Sequence, residues 1–461
     1  MMIVPAPRRL QPPATLALAL ALASACARGQ DERALRYRLK TGDCLLYEQR
    51  ATRTTLDGGQ PLAQSACQLR VWCLERRADE SLLLVDLRPT GDAGRERSGG
   101  VTWHVDDGGR RRVAEEVTTR LGPLEPALDL LPVLPSAAQR ETEWVTAADW
   151  YGRCWSCVQR GPDADQGNRL RIDFTVQDAQ GRPEFLGQTR SGSFWFDAAG
   201  GCVARLEAEE QDRYAGTRVR VVAELRQRAA HSAEWAGRRA VEAERFERTL
   251  RSGERLLQQV ITQPDDLART LRQLDELWLG LTSDVDRGAA SPFAELADAR
   301  RRQLRTDQAL FRQEAALGRR WLNRPAGTWS LLDADGQTVT SESARRGVVI
   351  EAFWSTESVW SLRALESLRR LQTDVGRQPV RILSCNLDED PDVGRAAVRQ
   401  FGAGLAHVLA GPLRSVESLP QLPVVRVLDR KGVVRGVWIG WQPTYGAARE
   451  LAVELAKAKA P

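Results

Sequence analysis

The sequence predicts a multidomain chain: an N-terminal antiparallel β domain, a central α-helical segment and a C-terminal α/β domain. Three observations predict it. The 461 residues exceed what one ordinary core organises. Apolar and polar residues alternate with period two up to about Leu225, and near Ala229 the spacing becomes helical. Beyond Asn323-Arg324-Pro325-Ala326-Gly327, a linker by composition, short apolar runs alternate with helical stretches. The expected boundaries are 1–26 for an export leader, 30–228 for the β domain, 229–323 for the helices and 324–461 for the α/β domain.

Composition excludes several function classes. A formal charge of +5 spread over 66 basic and 61 acidic residues is a mixed surface, not a nucleic-acid footprint. His104, His231 and His407 have no ligand-like spacing to one another or to a cysteine pair. No metal, cofactor or histidine-based triad is therefore expected.

In the leader, Arg8 and Arg9 precede an apolar run over 14–23 that is too short to span a bilayer. Ala23-Ser24-Ala25 then leads into Cys26, which resembles the lipid-acceptor cysteine of bacterial lipoproteins. Plain secretion after an Ala-x-Ala signal is the alternative. Both predict export to the periplasm or cell envelope, with a membrane-surface partner if Cys26 is lipidated. Export makes Cys44, Cys67, Cys73, Cys154, Cys157 and Cys202 candidates for disulfides, in any of fifteen connectivities, and leaves Cys385 alone.

Strand character runs through residues 67–73, 170–174 and 218–222, while 194–197 and 202–206 read as two strands around a glycine turn. Residues 121–134, rich in leucine and proline, read as a connection or short helix crossing the sheet. Three helices are expected between 229 and 322, with Pro264 opening one and Ser291-Pro292 another. In the last domain, 329–332 and 337–339 flank the turn Asp333-Ala334-Asp335-Gly336, and 347–354 is a buried strand. Ser358 opens a helix lined by Leu362, Leu365, Leu368 and Leu371. Strands over 380–387, 422–429 and 433–439 and helices over 393–401 and 445–456 complete the series.

This order resembles the thioredoxin-like superfamily, in particular exported thiol-disulfide oxidoreductases of cytochrome maturation and the redoxin and alkyl hydroperoxide reductase group. Members carry Phe-Trp-Ala-x-Trp-Cys-x-x-Cys-Arg. Phe353, Trp354, Ser355, Thr356 and Arg363 sit in that frame, with Glu357 for the second tryptophan and one extra residue, Leu362, before the arginine. Ser358 and Ser361 take the two cysteine positions. The resemblance maps the family's cis-proline onto Pro423, and Asn386-Leu387-Asp388-Glu389 onto its strand-end segment.

A thiolate at a helix N-terminus attacks disulfides; a serine hydroxyl there stays protonated and forms no mixed disulfide. Serine is also a good N-cap, worth about 1 kcal/mol, so Ser358 needs no catalytic purpose. The first expectation is thus a redox-inactive module whose groove around Ser358, Trp360 and Pro423 holds an extended peptide or an envelope protein, or serves structurally. The alternative is an active oxidoreductase or peroxiredoxin-like enzyme using Cys154 and Cys157, although positions three apart on a strand point to opposite faces. A third reading gives the function to the β domain as a lipid- or ligand-binding half-barrel, with the C-terminal domain merely attached.

Overall fold

The computed structural model describes residues 35–90, 99–112, 130–135, 142–146, 154–167, 169–177, 181, 184–185, 187–283, 291–376, 378–401, 404–442 and 444–458. The leader, Cys26 and residues 121–129 of the expected crossing segment lie outside them.

Twelve strands among the described residues form one antiparallel sheet. They are β1 (Asp43–Thr55), β2 (Pro61–Arg76), β3 (Glu80–Pro89), β4 (Gly99–Asp106), β5 (Arg111–Arg112) and β6 (Glu143–Val145), followed by β7 (Cys154–Asp163), β8 (Arg169–Gln177), β9 (Glu184–Phe185), β10 (Gln188–Asp197), β11 (Cys202–Asp212) and β12 (Thr217–Ala230). Their order is β5-β4-β3-β2-β1-β12-β11-β10-β8-β7-β6, with β9 on β10. The first strand pairs with the last, Asp43 with Ala230 through Thr55 with Thr217. Period two decides the faces. On β2, Leu69, Val71 and Cys73 point into the inner core, while Trp72 and Leu74 join a second cluster with the helices.

The inner face is filled. Leu35, Tyr37 and Leu39 pack into it together with Leu130, Leu131 and Leu134, and the Tyr37 hydroxyl donates to Pro132 O at 2.9 Å. Of the two readings for this stretch, connection or short helix, residues 130–135 take the form of a connection, with turn, bend and irregular backbone. Buried leucines that need only apolar contact do not require helical geometry to make it.

Four helices follow among the described residues, where three were expected: α1 (Ala233–Thr262), α2 (Leu267–Ser283), α3 (Pro292–Thr306) and α4 (Gln308–Trp321). The extra division falls at Asp307, whose φ of −87° and ψ of 6° leave the helical region. Neither glycine nor proline marks that break, so composition gives no sign of it. Ser232 caps α1 by accepting from Trp235 N at 3.1 Å, and Ser291 caps α3 by accepting from Phe293 N at 3.2 Å.

With 30 residues α1 is about 45 Å long, enough to reach both ends of the molecule. Its N-terminal part, through Leu250, packs Trp235, Phe246 and Leu250 against Trp72, Leu74 and Leu84 on the outer face of the large sheet. Its last turns reach a second sheet.

That sheet contains β13 (Ser330–Asp333), β14 (Thr338–Thr340), β15 (Val348–Trp354), β16 (Val380–Asn386), β17 (Ala406–Leu409), β18 (Val424–Leu428) and β19 (Val434–Ile439). Interspersed are α5 (Ser341–Ala344), α6 (Val359–Val375), α7 (Pro391–Phe401), α8 (Leu413–Glu417) and α9 (Gly446–Lys457). The order is β14-β13-β17-β16-β15-β18-β19; β15, β16 and β17 run parallel and the others pair antiparallel. Strand β17 was not anticipated, being only four residues between Gly404 and Gly411.

The buried strand β15 divides its side chains between two cores. Val348, Ile350, Ala352 and Trp354 meet α6 and α9, whereas Val349 and Phe353 meet Ile261 of α1 and Leu317 and Trp321 of α4. The linker lies along β19, with Asn323 N donating to Val434 O at 2.8 Å and Ala326 N to Gly432 O at 2.9 Å.

Candidate functional site

At the C-terminal end of β15 the chain leaves the sheet through Ser355, Thr356 and Glu357 and enters α6 at Ser358. Ser358 is the N-cap: its φ of −115° and ψ of 111° are extended, and its hydroxyl accepts from Ser361 N at 3.3 Å. That bond satisfies one of the donors every helix start leaves open.

Ser361 has a different fate. It is fully buried in the first turn of α6, and its hydroxyl has no hydrogen-bond partner. The two serines therefore differ, one hydroxyl capping a helix and the other idle.

The turn is latched from the neighbouring strand. Asp388, just beyond β16, accepts through Oδ1 from Ser355 Oγ at 2.6 Å, Thr356 N at 2.9 Å and Thr356 Oγ1 at 3.1 Å. Its Oδ2 accepts from Asn386 Nδ2 at 2.7 Å. A buried carboxylate with this many donors is held by charge-assisted bonds and fixes the turn's geometry. Sequence reasoning placed Asp388 in a segment of the resemblance but gave it no task; Ser355 and Thr356 lie in the turn after β15, more than thirty residues away, where spacing cannot show them.

Pro423 arrives by register. Phe353 pairs with Val424, so Pro423 stands beside Trp354 where the turn begins, and the Leu422–Pro423 peptide is cis. Gly440 N donates to Pro423 O at 2.8 Å. The sheet thus brings Ser358 and Pro423 to the same end.

Trp360 is half-buried and stacks on Trp441, with ring centroids 5.7 Å apart, while the Arg363 guanidinium lies 4.7 Å from its centre. Trp441 donates to Ser367 Oγ at 3.0 Å. Sequence reasoning did not single out Trp441, because nothing local links it to Trp360. At the rim, Arg414 Nη2 and Glu357 Oε2 are 2.7 Å apart.

The disulfides expected among Cys44, Cys67, Cys73, Cys154, Cys157 and Cys202 do not form: all six are buried thiols, as is Cys385. The ladder gives the reason. Cys44 opposes Trp72 and Ala229, Cys67 opposes Gln49 and Pro89, and Cys73 opposes Leu83. Cys154 opposes Gln177, Cys157 opposes Trp144 and Phe174, and Cys202 opposes Asp197. Export would permit disulfides, but only the fold can bring two sulfurs within reach.

The ladder also bears on Cys154 and Cys157, the pair of the alternative redox reading. Cys157 joins Trp155 in the inner core and Cys154 takes the other face of β7. Burial pushes the Cys157 and Cys44 thiols up to about 12 and those of Cys73 and Cys202 to about 11. Cys385, fully buried in β16, is also raised far above the usual thiol range by burial. Raised thiols are poor nucleophiles. His407, on β17 opposite Ser384, is separated by β16 from β15, the strand that leads to Ser358.

No described protein family matches this chain, and no curated protein does. Solved structures do. A thiol:disulfide interchange protein, DsbE, from Chlorobium tepidum is 18% identical, covering 29% of this chain and 96% of that one, with a TM-score of 0.27. A thiol-disulfide oxidoreductase from Bacteroides fragilis is 19% identical over 28% of this chain and 99% of its own, with a TM-score of 0.25. StoA from Bacillus subtilis is 17% identical over 28% and 97%, with a TM-score of 0.24.

Proposed function

We propose that this is an exported protein whose thioredoxin-like C-terminal domain transfers no electrons and holds an extended peptide at the end of the sheet where Ser358 and Pro423 meet. One observation carries the reading: the tip of α6 presents oxygen, and the Ser358 hydroxyl is spent as a helix cap on Ser361 N. An alcohol without an adjacent base cannot open a disulfide. The buried, raised thiols elsewhere offer no substitute. Export rests on the N-terminal Arg8, Arg9 and apolar run, and anchoring at Cys26 is the lipoprotein form of the same reading.

The latched turn, the Trp360–Trp441 stack and Pro423 support a preformed peptide surface, since a fixed site loses little freedom on binding. The test is reduction of insulin disulfides by the full chain with dithiothreitol. The expected rate equals that of dithiothreitol alone; robust turnover overturns the proposal. A Ser358→Cys/Ser361→Cys variant is the positive comparison, because it returns sulfur to the helix tip. Binding is measured by fluorescence anisotropy with a reduced, carboxymethylated lactalbumin. Trp360→Ala is expected to weaken it several-fold, and equal binding by the variant would leave the domain a structural one.

A further inference from the structure

The segment 35–40 crosses the mouth of the large sheet with strict alternation. Leu35, Tyr37 and Leu39 are buried in the core below, so Arg36, Arg38 and Lys40 face outward. Those three side chains, with Thr41, Arg76 and Asp107, line an open cavity of about 740 Å³. Four cations meet one carboxylate, and that carboxylate is already paired with Arg76.

Two features separate this cluster from an ordinary solvated face. Among the described residues, the side chains of Arg36, Arg38 and Lys40 form no hydrogen bond or ion pair, whereas arginines across the sheet such as Arg70, Arg190, Arg205 and Arg228 are paired with carboxylates. The segment is also fixed by its backbone. Tyr37 N donates to Asp107 O at 2.9 Å, and Arg38 N to Gly201 O at 3.1 Å. Gly201 has φ +63°, and a Cβ there would lie 2.4 Å from Arg38 N, so this approach needs glycine. Three unneutralised cations on a pinned backbone are preorganised for an anion.

We propose that this cavity binds the phosphate of an anionic phospholipid headgroup. Arginine forks and a lysine ammonium suit phosphate oxygens, and Thr41 adds a hydroxyl at the wall. The volume suits a glycerophosphate-sized group rather than a polymer, and the charge balance elsewhere offers no stripe for a nucleic acid. Position selects the lipid source. Arg36 lies ten residues beyond Cys26, a reach of at most about 35 Å, so a chain anchored there would carry this cavity to the membrane surface. The choice of a lipid source rests on the Cys26-anchored form of the proposed export; the inference does not rest on the peptide-binding reading and can fail without it.

The experiment is isothermal titration of the full chain with dihexanoyl phosphatidylglycerol, dihexanoyl phosphatidylcholine and inorganic phosphate. Water-soluble short-chain lipids separate headgroup recognition from insertion of an apolar leader. Binding of the phosphatidylglycerol at one site is expected, at least tenfold weaker in Arg36→Gln/Arg38→Gln/Lys40→Gln. It should also weaken about tenfold as salt rises from about 0.05 to 0.5 M. Arg36→Lys/Arg38→Lys should retain it, which guards against misfolding of the triple variant. Equal binding of the phosphatidylcholine, an unaffected triple variant, or inorganic phosphate binding as tightly as the lipid would each overturn the proposal.

Discussion

Ser358 and Ser361 are three positions apart and chemically identical, yet the fold uses them in opposite ways. The Ser358 hydroxyl accepts from a helix-start N–H, so Ser358→Ala is expected to destabilise the chain by about 1 kcal/mol. The Ser361 hydroxyl is buried without a partner, and alanine is the better helix former, so Ser361→Ala is expected to stabilise by up to about 1 kcal/mol. Urea midpoints of the two variants check this. If both moved the same way, the separation of roles would be wrong. From the sequence, Ser358 was legible as a cap because serine precedes a helical leucine stripe. The idle state of Ser361 was not, because it depends on what surrounds the first turn of α6.

Between elements, the second sheet is tied to its helical cover through a buried charge. Glu351 lies on the β15 face that meets α1 and α4, accepting from Arg345 Nε at 2.6 Å and Arg426 Nε at 2.7 Å. The Arg426 guanidinium sits 4.3 Å over the Trp321 ring of α4, and Trp321 Nε1 donates to Glu417 at 3.0 Å. Burial by itself would raise the Glu351 carboxyl, but the Arg426 and Arg345 guanidiniums outweigh it and hold it below its ordinary 4.5. A carboxyl depressed by folding lends stability that is complete above about 4.5 and fades as pH falls below that toward its folded value. Glu351→Gln leaves the buried Arg345 guanidinium without a carboxylate and Arg426 with only Glu417, 3.7 Å away, and is expected to cost about 3–5 kcal/mol at neutral pH. It should also flatten the loss of stability below pH 4.5, as denaturant titrations at pH 7, 4.5 and 3.5 would show. An acid limb as steep as that of the parent chain would refute this account.

For the whole molecule, α1 is the member that both sheets share. It packs Trp235, Phe246 and Leu250 on the large sheet, and near its end Gln258 Nε2 donates to Val437 O at 2.6 Å. A fragment of residues 324–461 would bare the face formed by Val349, Phe353, Leu383 and Val437, whereas 233–461 would keep Ile261, Leu317 and Trp321 over it. The shorter fragment is expected to bind 1-anilinonaphthalene-8-sulfonate at this face and to be cleaved rapidly by protease within residues 348–439; the longer one, which bares Trp235, Phe246 and Leu250 instead, is expected to resist cleavage there. A compact, dye-silent shorter fragment would show that the helices are dispensable cover. The linker was readable from Pro325 and Gly327, but a linker marks where the chain turns and not where a core ends.

Local chemistry on its own determined the class of most stretches. Period two in the first half, helical spacing in the middle, the apolar run of β15 and the capping serine of α6 are all relations between residues a few positions apart, and backbone sterics and burial act on them before any long-range contact exists. Tertiary structure alone decided which groups meet. It set the pairing of β1 with β12, the latch from Asp388 to the Ser355–Thr356 turn, the stack of Trp360 on Trp441 and the separation of the six thiols. It also left Arg36, Arg38 and Lys40 unneutralised beside a cavity. Each of these depends on strand order and register, which are selected by the joint packing of distant segments and leave no periodic trace in any one of them.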